Sequence, residues 1–370
     1  MGASRQLGQW MAILAALALA LGGQPPATAA RPVPDGPPLL PAGELPYLPP
    51  PPGCLAKTQF FHHDGSEPTI DVDTITSTLT VGGISPYIWN VTAFTAISHT
   101  FSGDLRVFLI APNEFGIRNT LTSNNGGSND DVYAFSIWTD LAPYGVTEVG
   151  FPIGFSPVFL IPEGALGKHF SRDPNGDWKL VVQDTAAQDT GQLNGWALDI
   201  TTLPFAPIGA SQFPSKVVNQ AMTNTQTITS SIVVAGAGTV LDNVTVSMVV
   251  PHTRSGELTI TLWAPTGLTT TLTSGNGGSR ANLYNGVQFT DDPVGAYAGP
   301  VTDAAYVDND NLGQVQPEGA MRHFAGINPN GPWRLVIKDS GGIGTGSLQS
   351  WQLGIYTSHC AAVYLPLVKR

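Results

Sequence analysis

Apolar and polar residues in this chain alternate with a period of two. In the run Asn175 to Asp184, Trp178, Leu180 and Val182 fall on one face, and Lys179 and Gln183 on the other. Trp196, Leu198 and Ile200 repeat that phase after a polar loop. Runs of this kind, opened by Gly or Pro, predict half-buried antiparallel strands. The whole pattern then returns: Trp333, Leu335 and Ile337 lie in the run Asn330 to Asp339, and Trp351, Leu353 and Ile355 follow, each 155 residues after its counterpart. A self-match at fixed spacing governs how every single residue is read.

The duplication extends upstream. Asn90-Val-Thr matches Asn243-Val-Thr, His99-Thr matches His252-Thr, and Ser102-Gly-Asp-Leu matches Ser255-Gly-Glu-Leu. Leu121-Thr-Ser-Asn-Asn-Gly-Gly-Ser returns as Leu272-Thr-Ser-Gly-Asn-Gly-Gly-Ser, and Pro162-Glu-Gly-Ala as Pro317-Glu-Gly-Ala. The spacing drifts by a few residues only between strand-like runs, where loops absorb insertions. Further strands are predicted at 76–81, 91–97 and 104–110, with Leu105, Val107 and Leu109 on one face. Each copy exceeds a hundred residues, so these are two homologous domains. The fold class is all-β, with the domains at 58–203 and 215–357. Residues 204–214 read as a linker and 139–171 as irregular. The tail 358–370 is either an added edge strand or a sorting tail.

Composition agrees. Charged residues are 12% of the 370, and Gly and Pro number 42 and 31, which suits loop-rich β structure. A net charge of −11, with Lys369-Arg370 the one adjacent basic pair, leaves no footprint for nucleic acid or anionic lipid. Arg5, the apolar core Trp10 to Leu21 and Ala27-Thr-Ala29 read as a signal peptide over residues 1–29. That core is short for a membrane span, so the protein is expected to be secreted. Residues 30–57 are Pro-rich and predict an extended spacer. Cys54 and Cys360 flank the two domains. In an oxidising compartment they form one bridge around the body, or stay free or intermolecular.

The ordered set His-Thr, Ser-Gly-Asp-Leu, Ala111-Pro, the Gly-Gly-Ser loop, Asn-Gly-x-Trp-x-Leu-x-Val-x-Asp and Gly-x-Leu-x-x-Trp-x-Leu resembles the P domain, or P/Homo B domain. That domain follows the subtilisin-like catalytic domain of kexin- and furin-type proprotein convertases and of some bacterial proteases. The resemblance covers roughly 69–202 and 225–357. It implies a jelly-roll-like β-sandwich in each copy, which packs on and stabilises a protease without being catalytic. The expected partner is a secreted protease, as the resemblance implies, or a cell-surface component. The chain carries no Gly-Thr-Ser-x-Ala nucleophile segment. The reading is therefore a secreted binding, docking or stabilising module. The alternatives are an accessory or remnant of a subtilisin-like protease, and a structural adhesion protein.

Candidate chemistry is sparse. Asp339-Ser340-Gly-Gly342 looks like a nucleophile loop, but its counterpart, Asp184-Thr-Ala-Ala187, has no Ser. Catalytic residues are expected to be none. His99 and His252 sit where a strand turns, and a turn-side hydrogen bond accounts for them. Trp178, Trp196, Trp333 and Trp351 are assigned to the core by phase. The sequons at Asn90 and Asn243 open the same strand in each copy and read as structural. No cofactor is required. Asp104, Asp130, Asp131, Asp184 and Asp189 are the candidate calcium ligands of the first domain, the other reading being solvated loop acids. The second copy departs at Glu257, Ala281 and Asn282, so its site is expected to be weaker or absent.

Overall fold

The computed structural model describes residues 48–63, 65–67, 69–112, 118–151, 158–294 and 299–360. Residues 1–29, read as a signal peptide, the Pro-rich segment up to residue 47 and the tail from residue 361 lie outside the described residues. The first domain contains β1 (Lys57–His63), β2 (Thr69–Ile70), β3 (Thr74–Val81), β4 (Tyr87–His99), β5 (Leu105–Ile110), β6 (Asn119–Ser123), β7 (Ser136–Trp138), β8 (Val158–Leu160), β9 (Gly176–Asp184) and β10 (Gly191–Leu203). One sheet runs β1-β10-β4-β7-β8, with β2 also on β10, and the facing sheet runs β3-β9-β5-β6. Pairing is antiparallel except between β7 and β8.

The second domain repeats the plan. It contains β11 (Ile208–Gln212), β12 (Ser215–Met222), β13 (Thr227–Val234), β14 (Leu241–Val250), β15 (Leu258–Trp263), β16 (Thr269–Ser274), β17 (Tyr284–Phe289), β18 (Gln314–Val315), β19 (Gly331–Asp339) and β20 (Gly346–His359). Its sheets run β11-β20-β14-β17-β18, with β12 also on β20, and β13-β19-β15-β16. The molecule is two tandem β-sandwiches.

The alternating residues fill the space between the sheets. Trp178, Trp196, Leu180, Leu198, Val107 and Leu109 share one core, and Trp333, Trp351, Leu335, Leu353 and Ile260 share the other. Each indole buries roughly 200 Å² of largely apolar surface, about 5 kcal/mol of transfer free energy. Its N–H must then find an acceptor inside. Trp178 donates to Pro174 O at 2.9 Å and Trp333 to Pro329 O at 2.8 Å. Trp196 donates to Ser77 Oγ at 3.0 Å and Trp351 to Ser230 Oγ at 2.9 Å.

Two boundaries differ from the sequence reading. The segment 204–214, read as a linker, contains β11, which pairs with Ile355 to His359 of β20. The long strand β20 presents an open edge of backbone N–H and C=O groups, and β11 covers part of it. The second sandwich thus begins at Ile208. The last part of the Pro-rich segment is no free spacer either. Leu48 is buried with Trp89, Leu203 and Ala325, and Pro52 O accepts from Cys360 N at 3.2 Å. Proline carbonyls remain acceptors, so a Pro-rich run can still be pinned. Cys54 and Cys360 are joined as a disulfide, with Cα atoms 5.0 Å apart and a separation of 306 positions in sequence.

The stretch read as irregular, 139–171, meets its own repeat across the molecule. Ala142, Ile161 and Ala165 of the first domain cluster with Ala320 of the second. Asp140 accepts N–H bonds from Leu166 and Gly167 at 2.8 and 2.6 Å. Its counterpart Asp291 accepts from Met321 and Arg322, both at 2.7 Å. Matched positions face each other, the pattern of an isologous contact. At its centre Gly167 abuts its own counterpart, Arg322: a Cβ on Gly167 would lie 2.8 Å from Arg322 Cδ and 2.8 Å from Asp291 Oδ2. Only one of the two positions has room for a side chain. The Arg322 guanidinium crosses into the first domain, donates to Trp89 O and Asp242 O, and lies 4.8 and 4.5 Å from the Trp89 and Phe170 ring centroids.

Candidate functional site

The repeated polar motifs converge on one rim of each sandwich. In the first domain β4 ends at His99, a 3-10 turn spans Ser102–Asp104, and β9 ends at Asp184. His99 is held from both sides. Its Nδ1 lies 2.8 Å from Phe101 O, and its Nε2 3.3 Å from Asp184 Oδ2, with neither side chain exposed. Asp184 Oδ1 also accepts Ala186 N at 3.2 Å, fixing the loop that follows. Asp189 takes the Thr100 hydroxyl at 2.9 Å. The turn and the Gly-Gly-Ser loop touch through their backbones: Gly103 donates to Gly127 O at 2.8 Å and Ser102 to Asn129 O at 3.0 Å.

The second rim matches it. His252 Nε2 is 3.2 Å from Asp339 Oδ2, and its Nδ1 2.9 Å from Arg254 O. Ser340 is drawn to the turn, its Oγ donating to Glu257 O at 3.1 Å. The histidines therefore hold strand ends and turns together, with both ring nitrogens engaged.

The five acids proposed for calcium have different placements. Asp131 Oδ1 accepts the His99 N–H at 2.9 Å; in the second domain Asn282 Oδ1 accepts the His252 N–H at 3.0 Å. The acceptor works without charge there, and both residues have the positive φ, 54° and 59°, that Asp and Asn tolerate. Burial raises the Asp131 pKa, its His99 hydrogen bond lowers it, and neighbouring Asp130, which is exposed, raises it. Asp104 is raised too, by loss of solvation, then by Asp184, with His99 opposing and Asp189 adding. These four residues therefore share a neighbourhood, with Asp130 at its margin.

Among the described residues, ligand atoms of three groups come within 4.8 Å of one another at the second rim, on His252, Glu257 and Asp339. Glu257 is one methylene longer than its counterpart Asp104. Its oxygens are occupied, by Arg254 Nε at 2.9 Å and Gly344 N at 2.9 Å. A cation there would have to displace the arginine.

The sequence reading passed over a second polar set. Glu163 binds Ser123 N at 2.5 Å, Ser123 Oγ at 2.8 Å and Asn125 Nδ2 at 2.6 Å. Glu318 does the same for Ser274 and Asn276. The repeated Pro-Glu-Gly-Ala was the available signal: an acid kept in both copies amid apolar neighbours. Its partners, the Leu-Thr-Ser loops, were the other half of the pattern.

Comparison with known proteins follows this geometry. The family described as Proprotein convertase P-domain matches residues 88–200 and 241–355, one stretch in each sandwich and together more than half of the chain. Leupeptin-inactivating enzyme 1 of Streptomyces exfoliatus is 29% identical over 142 residues, which are 36% of this chain and 24% of that protein. The chain thus spans about a quarter of the length of this relative. Among solved structures, the Aeromonas sobria serine protease in complex with its chaperone is 18% identical, over 42% of this chain and 28% of that one, with a TM-score of 0.29. A peptide-N(4)-(N-acetyl-beta-D-glucosaminyl) asparagine amidase is 10% identical, over 82% of this chain and 96% of that one, with a TM-score of 0.24.

Proposed function

Because the chain belongs to the proprotein convertase P-domain family, we propose that it is a secreted, non-catalytic protein that docks on and stabilises a separately encoded subtilisin-like protease. The observation that carries this reading is the use made of the motif residues. His99 and His252 are enclosed between a backbone carbonyl and a carboxylate, and Ser340 Oγ is committed to Glu257 O. A general base must reach its nucleophile, and these rings are already occupied in holding turns. The disulfide suits an oxidising compartment. Among the described residues no helix is long and apolar enough to cross a membrane.

The test is co-expression with the secreted subtilisin-like protease encoded nearest to it. Active-protease yield and half-life at 37 °C rise when this chain is present; equal values with and without it overturn the reading. The chain alone is expected to leave casein intact, and turnover abolished by Ser340→Ala would count against a non-enzymatic role.

Calcium at the first rim, on Asp104, Asp184 and Asp189, belongs to the same proposal. It is supported by the surroundings that raise the Asp104 pKa, loss of solvation first and then the charge of Asp184, with His99 opposing and Asp189 adding. Calcium is expected to raise the melting temperature of chelator-treated protein, and Asp104→Asn to diminish the rise. No rise removes the ion.

A further inference from the structure

We propose that the junction between the two sandwiches is a proton-operated latch, closed while its facing carboxylates hold protons and loosened when all of them ionise. The junction is rich in acids that confront one another. Ser123 Oγ stands between Glu163 Oε2 at 2.8 Å, in its own domain, and Asp303 Oδ1 at 3.5 Å, in the other. Glu163 and Asp303 thus face each other across the junction through Ser123, and the charge of Asp303 opposes ionisation of Glu163. On the pseudosymmetric side Glu318 is under the field of Glu148. At the centre Asp140 and Asp291 act on each other across the Gly167–Arg322 contact.

The compensating charge is small. Arg322 is buried and, among the described residues, is the cation that Asp140, Asp291 and Asp242 share. His323 sets Nδ1 3.3 Å from Asp140 O, and its burial disfavours the charged ring. Lys168, on the same 3-10 turn as Gly167, is directed to Arg118 O at 3.1 Å. Arg106 eases Asp303 from farther off. Arg172 pairs with Asp292 at 3.0 Å on the half-exposed periphery. At alkaline pH the interior of the contact therefore holds more negative than positive charge.

The direction of the pH effect follows. Burial, opposed by backbone hydrogen bonds and Arg322, raises Asp140 to about 6. Burial and then Asp140 raise Asp291 to about 7, and burial and then Asp303 raise Glu163 to about 7. Where docking raises an acid's pKa, its stabilising effect is whole below the ordinary carboxylate range near 4 and is lost as pH climbs through 6 and 7. The junction is tightest in mild acid and loosest above pH 7.5.

Hydrogen exchange on the intact, disulfide-bonded chain tests this. The reporters are the amides of Leu166, Gly167, Met321 and Arg322, which donate to Asp140 and Asp291. After correction for intrinsic rates, their opening constants are expected to rise about tenfold or more between pH 5.5 and 8, since each proton released contributes a factor of ten per pH unit. Amides of Val182 and Ile337, in the two cores, are expected to hold steady. The double variant Glu163→Gln, Asp303→Asn is expected to shrink the rise. Equal protection at both pH values, an equal loss in the cores, or an undiminished rise in the double variant overturns the latch.

Discussion

Each repeat tryptophan must place a large apolar ring inside and still satisfy one N–H, and a proline carbonyl or a serine on the facing strand does so. Trp178→Ala therefore removes both packing and a satisfied donor, and is expected to cost about 3–5 kcal/mol in chemical denaturation. These four residues were legible because period-two phase points them inward. Asp199 was not. It sits in the outward phase of β10, yet it is paired across to Phe60 and Thr92, and its Oδ1 is buried with no hydrogen-bond partner among the described residues. Loss of solvation raises its pKa to about 6. A raised acid contributes stability that is whole below pH 4 and fades as pH passes 6. Asp199→Asn is expected to gain about 2 kcal/mol at pH 8 and nothing at pH 4. Urea unfolding at the two pH values checks this. Alternation predicts the side of the sheet, and what lies over that side is a tertiary fact.

Among elements, the Ser-Gly-Asp turn and the Gly-Gly-Ser loop belong together. They were visible in the sequence as two unrelated motifs, and their common cause is close backbone approach. A Cβ on Gly103 would stand 2.8 Å from Gly127 O, and one on Gly256 2.4 Å from Gly278 O. The serines between them have parallel duties: Ser102 Oγ accepts Val132 N at 3.3 Å and Ser255 Oγ accepts Leu283 N at 3.1 Å. Gly103→Ala and Gly256→Ala are each expected to cost about 2–3 kcal/mol, the larger loss at Gly256, measured by thermal denaturation of each variant. The strand β11 was missed for a different reason. Three prolines and no charge mark a break in any local reading, and the unpaired edge of β20 that recruits Ile208 to Gln212 lies more than 140 residues later.

For the whole molecule, the duplication was plain from spacing, while the contact between the copies was not. That contact lies in loops without period, and its charge pattern appears only when the loops are set face to face. One mismatch between the copies was a signal the sequence reading left unused: Gly167 against Arg322, the smallest residue opposite one of the largest. The disulfide acts at the same scale. In the chain-entropy view, closing so large a ring restrains the unfolded state by on the order of 5–6 kcal/mol as an upper limit. Reduction is expected to lower the melting temperature clearly at pH 7, and an unchanged melt would mean that the bond contributes little.

Closing the ring also decides how the chain carries tension. A pull applied through residues before Cys54 and after Cys360 passes from sulfur to sulfur, and the loop between them bears none of it. Fully extended, that separation of 306 positions would span about 1,000 Å, and an intact bond withholds all of that length. Oxidised, the protein transmits force like a short rigid link; reduced, it becomes a spring with two sandwiches to unfold in turn.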